Sequence, residues 1–295
     1  MREAGATWAF DAIGTPWQIE TRHPLSDVTR RAVTDLIAAF DQDWSRFRDD
    51  SLVSELARRG GAVDAPADAA ALLDAYAALS DATDGAVNPL VGASLSSLGY
   101  DAAHTLVDHG AIPAPADWRG ILEWDHGTVR LAQPASIDVG ALGKGRLVDR
   151  VMEIVAASDV GDIVVDASGD VAMRGASQRI GLEHPFDARR VIGVWEVTDA
   201  ALCASATNRR AWGDGLHHVL DARTGLPVRT IAATWAVADT AMRADALATA
   251  LFFDGGPRLA HEWGIEWVRM TTDGVVEWSP GCRADLFVRT GSVEQ

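Results

Sequence analysis

The sequence contains few cysteines and no long apolar run. Its two cysteines, Cys203 and Cys282, lie in neither a CxxC motif nor a metal-ligand spacing, and two are too few for a disulfide framework. This predicts a reducing compartment. The first ten residues lack the apolar segment of a signal peptide, no lipobox cysteine is present, and no run reaches the ~18 residues that a membrane span needs. We therefore expect a cytoplasmic protein without stable membrane insertion.

Basic residues are also scarce. The chain has 26 Lys and Arg against 42 Asp and Glu, which gives a formal net charge of −16. A field of this sign repels phosphate backbones and anionic lipid, so it argues against a nucleic-acid partner unless a basic patch exists. The densest basic stretch, Arg46 to Arg59, is interrupted by Asp49, Asp50 and Glu55. Mixed signs of this kind are typical of a solvated helix face.

Length and composition favour an ordinary globular protein. The 295 residues are 48% hydrophobic and 23% charged, far from the composition of disordered chains. A chain of this length buries about 75% of its unfolded surface on folding. We predict a single domain over residues 1–295, with a core from about residue 10 to residue 288.

Periodicity predicts a few helices among many short strands. Apolar residues at helical spacing predict helices over 25–47, 66–83, 147–157 and about 240–253. Alternating or β-branched runs predict strands at 17–19, within 111–135, at 137–139, 163–165, near 180, at 191–197, 200–206, 216–228 and 232–238, and in the tail. Strands in runs with few helices predict an α+β fold.

A glycine-rich turn at 140–145 is the first candidate site. Glycines between a strand and a helix let the backbone approach a phosphate, and a helix N-terminus offers free N–H groups. The turn is no P-loop, because Gly145 follows Lys144 where Ser or Thr is required, and its spacing reverses the dinucleotide-binding fingerprint. An anion site and a plain structural turn both remain open.

Asp245 and Thr249 form the second candidate site. Residues four apart lie on one helix face, so the carboxylate and the hydroxyl point to the same place. Hard oxygen ligands suit Mg²⁺, which commonly takes further oxygens from a phosphate substrate. The alternative is a solvated pair, although the alanines between the two residues favour close packing.

The third candidate is the pair His217 and His218 with Asp221. Successive side chains of a strand point in opposite directions, so one histidine of the pair can face a cleft. A histidine there would suit a general base. A purely structural histidine remains the alternative.

Taken in order, seven segments resemble the ApbE family, the FAD:protein FMN transferases. They are 13–17 (IGTPW), 44–51 (WSRFRDDS), 83–89 (TDGAVNP), 138–145 (DVGALGKG), 167–170 (ASGD), 218–227 (HVLDARTGLP) and 244–250 (ADALATA). Each segment is weak evidence alone, but the order and spacing extend over nearly the whole chain.

The resemblance implies both a fold and an activity. The fold would be the family's T-fold-like α+β architecture, with mixed sheets and a few packed helices in a single compact unit. The enzyme would be a transferase of a phosphorus-containing group that requires Mg²⁺. It would move FMN from FAD to a Thr or Ser hydroxyl in the flavinylation motif of an acceptor flavoprotein and release AMP.

The resemblance also assigns roles to individual residues. His218 matches the family's catalytic histidine, and Asp221 is a candidate to tune it. Bound Mg²⁺ would take Asp245, Thr249 and the main-chain oxygen of Ala141. Residues matching the flavin and FAD positions are Ile13, Phe47, Ala86, Val87, Asn88, Asp138, Lys144 and Val219.

Departures from the family pattern cluster on the flavin side. Ile13 replaces a usual Met, Phe47 a usual Tyr, and Val87-Asn88 a usual Phe-Asp. Two further functions therefore stay open, an FAD pyrophosphatase that gives FMN and AMP, and a non-catalytic FAD-binding protein. The intact set of His218, Asp245 and Thr249 argues against the second.

Overall fold

The computed structural model describes residues 5–125, 127–158, 160–175 and 177–287. Both ends of the predicted 1–295 domain lie outside this part of the chain, including Val288 at the end of the predicted core. The domain limits therefore remain a prediction.

Eight helices occur within the described ranges. They are α1 (Asp27–Trp44), α2 (Leu52–Arg59), α3 (Ala69–Ala82), α4 (Gly92–Ser97), α5 (Trp118–Ile121), α6 (Gly143–Ala156), α7 (Ala241–Ala250) and α8 (Gly256–Trp263).

The described strands are short and numerous. They are β1 (Ala6–Ala12), β2 (Thr15–Thr21), β3 (Gly61–Asp64), β4 (Leu122–Trp124), β5 (Thr128–Leu131), β6 (Ile163–Asp166), β7 (Asp170–Arg174), β8 (Ser177–Glu183), β9 (Val191–Thr198), β10 (Ala201–Ala206), β11 (Ala211–Trp212), β12 (Leu216–His217), β13 (Leu220–Asp221), β14 (Leu226–Pro227), β15 (Ile231–Ala238), β16 (Glu266–Thr271), β17 (Val276–Trp278) and β18 (Asp285–Leu286).

One eight-stranded sheet organises the molecule. Its order is β1-β2-β6-β7-β10-β15-β16-β17, and its strand pairs are antiparallel. Every residue of β15 is buried, as expected of a strand covered on both faces. Antiparallel sheets with separate helices confirm the α+β prediction.

Different layers cover the two faces of this sheet. On one face, a large apolar core joins alternate sheet residues, such as Ala236, to α1, α3, α6 and α7. On the other face, Trp235 and Val237 pack with Leu182 and Trp195 of the three-stranded sheet β18-β9-β8. The strand period of two therefore sends successive β15 residues into different cores. A second three-stranded sheet, β3-β5-β4, and two ribbons complete the fold.

Several predicted elements differ from the structure. The helix predicted from residue 66 begins at Ala69, and the helix predicted over 25–47 occupies Asp27–Trp44 because Ser26 caps it by accepting from the Thr29 N–H. The helices α2, α4, α5 and α8 were not predicted. They are too short for a clear 3.6-residue pattern.

The predicted strand at 137–139 is wrong. This segment has no strand partner; instead the Asp138 N–H donates to the Pro89 carbonyl, and Ile137 and Val139 are buried without a ladder. The helix predicted from residue 147 begins earlier, at Gly143, so Lys144 and Gly145 lie in the first turn of α6. The glycines there are helical residues and not a loop.

No helix in the described ranges combines the length and the apolar character needed to cross a bilayer.

Gly145 lets α6 and α7 approach closely. A Cβ at this position would lie 2.4 Å from the Ala241 carbonyl oxygen and 2.7 Å from the Asp245 Cβ. Both neighbours belong to packed backbone or to a short side chain, so neither can move away easily.

We predict that Gly145→Ala lowers the free energy of unfolding by about 1–3 kcal/mol, because the added methyl must push the two helices apart. Urea denaturation measures the change. Gly127→Ala is the control, since its Cβ would have no neighbour nearer than 3.7 Å. Equal stability of the two variants would show that the contact between the helices is loose.

Candidate functional site

A cavity of about 1070 Å³ lies beside α6 and α7. Its lining includes all twelve residues that the resemblance assigns, from Ile13 in the β1–β2 turn to Thr249 in α7. Pockets for drug-sized ligands range from about 300 to 1,000 Å³, so this volume suits a ligand as large as a dinucleotide. Segments up to 236 residues apart in sequence meet here because the large sheet brings their ends together.

The oxygens expected to bind metal converge at one end of the cavity. Thr249 Oγ1 donates to the Ala141 carbonyl oxygen at 3.0 Å. Asp245 Oδ2 accepts from the Gly145 N–H at 2.9 Å, which fixes this carboxylate against the first turn of α6. Asp245 is buried, and both burial and the nearby Asp170 raise its pKa well above the ordinary value. A cation beside Asp245 would favour its ionised form.

Lys144 is the single lysine of the chain, and it lies at this end of the cavity. Its Nζ donates to the Ala167 carbonyl at 2.9 Å and lies 3.0 Å from Asp170 Oδ2. Burial tends to lower the pKa of Lys144, but the carboxylates of Asp170 and Asp245 outweigh burial and raise the pKa. The ammonium group is therefore charged and held in place.

The donor set fits Mg²⁺. A carbonyl, a hydroxyl and a carboxylate oxygen are the hard ligands that this ion takes. The carboxylate of Asp170, which is 1% exposed, lies beside Lys144, with 3.0 Å between Oδ2 and Nζ. No three His, Cys, Asp or Glu side chains in those ranges gather into a metal site. A bound ion would complete its six ligands with water or with substrate oxygens.

The two histidines point in different directions. His217 is buried, and its Nδ1 accepts from the Val219 N–H at 3.3 Å, so its Nε2 carries the hydrogen that is donated to the Val228 carbonyl at 2.8 Å. His218 lines the cavity, and its buried Nδ1 has no partner in the described part of the chain. As predicted, one histidine of the pair faces a cleft. The other is structural.

His218 is neutral at physiological pH. Desolvation, followed by the charge of Arg210, lowers its pKa to about 3. A neutral imidazole can accept a proton at Nδ1.

The expectation that Asp221 tunes His218 is not met. Both Asp221 carboxylate oxygens accept from the Arg223 guanidinium, the shortest distance being 2.7 Å. Burial tends to raise the pKa of Asp221, but these bonds to Arg223 lower it overall. Asp221 stabilises the turn between β13 and β14 and does not act on the imidazole.

Arg46 does not belong to a solvated helix face, which corrects the interpretation of the basic stretch. Its side chain is 6% exposed, and its Nε lies 2.5 Å from Asp138 Oδ2. Asp138 Oδ1 accepts from the Gly140 N–H at 2.8 Å, so both oxygens of this predicted FAD ligand also hold the turn before α6. The local charge pattern could not reveal a partner 92 residues away.

Tyr76 of α3 supports the same turn. Its hydroxyl donates to the Asp138 carbonyl at 2.8 Å and accepts from the Ala141 N–H at 3.3 Å. The Ala141 carbonyl is thereby aimed towards Thr249. In the sequence Tyr76 is one member of an apolar helical stripe, which gave no signal for this role.

Aromatic rings also line the cavity. Phe47 stacks on His104 at 5.1 Å between ring centroids, and the Arg46 guanidinium lies 4.2 Å from the Phe47 ring. Tyr100 stacks on Trp212 at 5.6 Å. The surface offered by Phe47 therefore remains aromatic without the usual Tyr hydroxyl, and a planar ring system would find stacking partners here.

The turn between β1 and β2 carries Ile13 into the cavity. Ile13 has φ of 45° and Gly14 has φ of 74°. A β-branched residue is rare in this left-handed region, so the turn holds Ile13 in a strained conformation. Such strain is frequent at functional sites.

The segment 86–88 contributes a rigid wall. Ala86, Val87 and Asn88 are buried. The Asn88 amide donates to the Pro115 carbonyl at 2.9 Å, and its oxygen accepts from the Leu90 N–H at 2.8 Å. The Asn88 side chain is thus engaged in holding the loop, and Val219 adds a buried apolar surface nearby.

Three residues of the site were missed from the sequence: Arg46, Tyr76 and Asp170. Asp170 lies in the segment ASGD, which is part of the family resemblance, but the resemblance gave this residue no role.

The chain has recognisable relatives. A family model described as the ApbE family matches residues 13–269. A protein named FAD:protein FMN transferase from Rhodobacter capsulatus is 29% identical over 94% of this chain and 57% of its own length. One of the same name from Treponema pallidum (strain Nichols) is 28% identical over 81% of this chain and 75% of its own length. The crystal structure of the ApbE protein from Thermotoga maritima aligns with a TM-score of 0.78 at 24% identity, over 93% of this chain and 97% of that one.

These likenesses differ in what they establish. The chain spans little more than half the length of the R. capsulatus relative. The structural match at 24% identity shows that the fold is shared. All seven segments singled out in the sequence fall within the range that the family model matches. The chain belongs to the ApbE family.

Proposed function

We propose that this chain is an enzyme that transfers FMN from FAD to a Ser or Thr hydroxyl of an acceptor flavoprotein and releases AMP. The observation that carries the proposal is that one cavity gathers all twelve residues assigned by resemblance, with both oxygen donors and aromatic rings in its lining. The names of the two curated relatives support the same activity.

The cavity favours one orientation of FAD. The diphosphate would lie at the N-terminus of α6, beside Lys144 and near Arg210, because cations and the positive end of the helix dipole stabilise phosphate. The isoalloxazine ring would lie towards Phe47 and Val219. An FAD molecule bound this way presents its FMN phosphorus between the oxygen donors and His218.

We further propose that the reaction requires Mg²⁺, held by Asp245, Thr249 and the Ala141 carbonyl. When bound, such an ion supplies positive charge to the phosphate oxygens during transfer. Asp245 is suited to this task because it is buried and fixed by the Gly145 N–H. Asp170 keeps Lys144 beside the same phosphates.

The transfer exchanges one phosphorus–oxygen bond for another. The acceptor hydroxyl oxygen attacks the FMN phosphorus and forms a phosphoester, while the bond to the AMP oxygen breaks and AMP leaves with the electron pair. The hydroxyl proton moves to Nδ1 of His218, which is unpartnered and neutral before the reaction. Positioning and charge stabilisation supply most of the catalysis in reactions of this class.

The two free cysteines, Cys203 and Cys282, support a reducing compartment. We therefore propose a cytoplasmic site of action and an acceptor whose flavinylation motif is exposed there.

Incubation with FAD, Mg²⁺ and an acceptor domain tests the function. We expect flavin fluorescence on the acceptor after denaturing electrophoresis, together with one AMP for each flavin attached. AMP release without a labelled acceptor would replace the transferase with the FAD pyrophosphatase. Neither product, with FAD still bound, would indicate a non-catalytic flavin-binding protein.

Asp245→Asn should reduce Mg²⁺-dependent transfer by at least about 100-fold, since it removes the anionic metal donor while keeping the shape of the side chain. Asp254→Asn, an exposed change just beyond α7, is the control and should retain activity. Both are assayed over a range of Mg²⁺ concentrations. Activity of Asp245→Asn equal to the control at limiting Mg²⁺ would show that the metal site is elsewhere.

His218→Gln should slow transfer by about 10²–10⁴-fold with FAD still bound, as expected for loss of a general base.

The pKa of about 3 also has a consequence for stability. Between this value and the unfolded pKa of about 6.5, the unfolded chain binds more protons at His218, so stability falls as the pH drops below about 6.5. Thermal unfolding is measured above and below about pH 6.5. The loss of stability at the lower pH should be smaller in His218→Gln than in the wild type. Lost FAD binding would make the role of His218 structural.

A further inference from the structure

Helices α6 and α7 are joined by reciprocal hydrogen bonds. The Gly145 N–H of α6 donates to the Asp245 carboxylate of α7 at 2.9 Å. In return, Asp149 of α6 accepts from the Ala241 N–H at 2.7 Å and from the Met242 N–H at 2.9 Å, one bond to each carboxylate oxygen. Each helix thus supplies a carboxylate to the first-turn amides of the other.

The spacing of these bonds explains why they form together. Gly145 precedes Asp149 by four residues, and Ala241 precedes Asp245 by four residues. Four residues advance an α-helix by about 6 Å, so in an antiparallel pair both contacts share one register. A slip of α7 along α6 would break both sets of bonds.

Asp149 completes the capping of α7. Thr240 accepts from the Arg243 N–H at 3.3 Å, so Asp149 and Thr240 together satisfy the first three amides of the helix. Unpaired first-turn amides are the feature that a helix N-terminus must resolve, and a carboxylate there also complements the helix dipole. The same helix carries Asp245 and Thr249.

We infer that Asp149 is a positioning residue for the metal and diphosphate site, because it fixes the position of α7 along α6 and thereby places Asp245 and Thr249 opposite Ala141. This inference rests on the proposed function. Asp149 itself is absent from the lining of this cavity and lines a separate cavity of about 340 Å³.

Two opposing effects act on the pKa of the Asp149 carboxyl. Burial raises the pKa of Asp149 to about 6, although the two N–H groups act to lower it. Charged groups on the surrounding elements are Arg146 and Glu153 of α6, Arg174 of β7, Asp199 before β10 and Asp239 before α7. A protonated carboxyl is a poorer acceptor for two amides, so the link between the helices weakens near pH 6.

The test compares Asp149→Asn with Glu153→Gln, an exposed neutralisation one turn along α6 that leaves α7 untouched. Mg²⁺ is titrated into protein with FAD, and flavin fluorescence anisotropy reports binding without turnover. We expect Asp149→Asn to need about tenfold more Mg²⁺ for half-saturation, the equivalent of about 1.4 kcal/mol, and Glu153→Gln to match the wild type. Amide hydrogen exchange at Ala241 and Met242 should be faster in Asp149→Asn alone.

A pH series separates positioning from a merely structural role. Between about pH 7.5 and about pH 5.5, the ratio of the Mg²⁺ requirements of Asp149→Asn and wild type should shrink towards one, because the wild-type carboxyl becomes protonated. Asp149→Glu keeps the charge but moves the carboxylate oxygens, so its Mg²⁺ requirement should lie between those of the wild type and Asp149→Asn. This variant also tests the role if Asp149→Asn fails to fold.

The outcomes are distinguishable. Wild-type Mg²⁺ dependence in both Asp149 variants, or lower thermal stability without a change in Mg²⁺ requirement, overturns the positioning role alone. A wild-type protein whose FAD binding ignores Mg²⁺ overturns the proposed metal site and this inference with it.

Discussion

The contact of α6 with α7 at Gly145 is the constraint on which the rest of the site depends. The absence of a side chain there lets the Ala241 carbonyl approach the first turn of α6. That approach brings the Asp245 carboxylate within reach of the Gly145 N–H and sets Thr249 against the Ala141 carbonyl. The large sheet also supports this arrangement, because its buried strand β15 leads directly into α7.

The site also shows how an acidic chain can gather positive charge locally. The net charge of −16 describes the surface as a whole, yet the cavity lining includes Lys144, Arg46, Arg209 and Arg210. Lys144 owes its charge to neighbouring carboxylates and not to solvent. Local electrostatics inside a cleft are thus decoupled from the long-range field, which salt screens beyond about 10 Å.

The fold class and most cavity residues could be predicted from the sequence, because they depend on local patterns and on ordered motifs. Asp245 and Thr249 share a helix face by periodicity alone. Arg46 was misread as solvated because its partner, Asp138, is brought near by tertiary structure. Tyr76 looked like a core residue, and it is one, but its hydroxyl also holds the Asp138 turn. The extended segment 137–139 resembled a strand because buried, β-branched residues flank Asp138, while its main chain bonds to Pro89 instead of a ladder.

The hydrogen bond between Gly145 and Asp245 closes a loop of 100 residues. Closing a loop of this length costs conformational entropy, so the bond depends on the tertiary structure that brings α6 and α7 together. During synthesis, the glycine turn, the aromatic residues before it and α6 emerge before α7. The contacts of Asp245 with Gly145 and of Thr249 with Ala141 therefore cannot both form before residue 249 has been synthesised. Under the proposed function, FAD would therefore bind only after α7 has packed against α6.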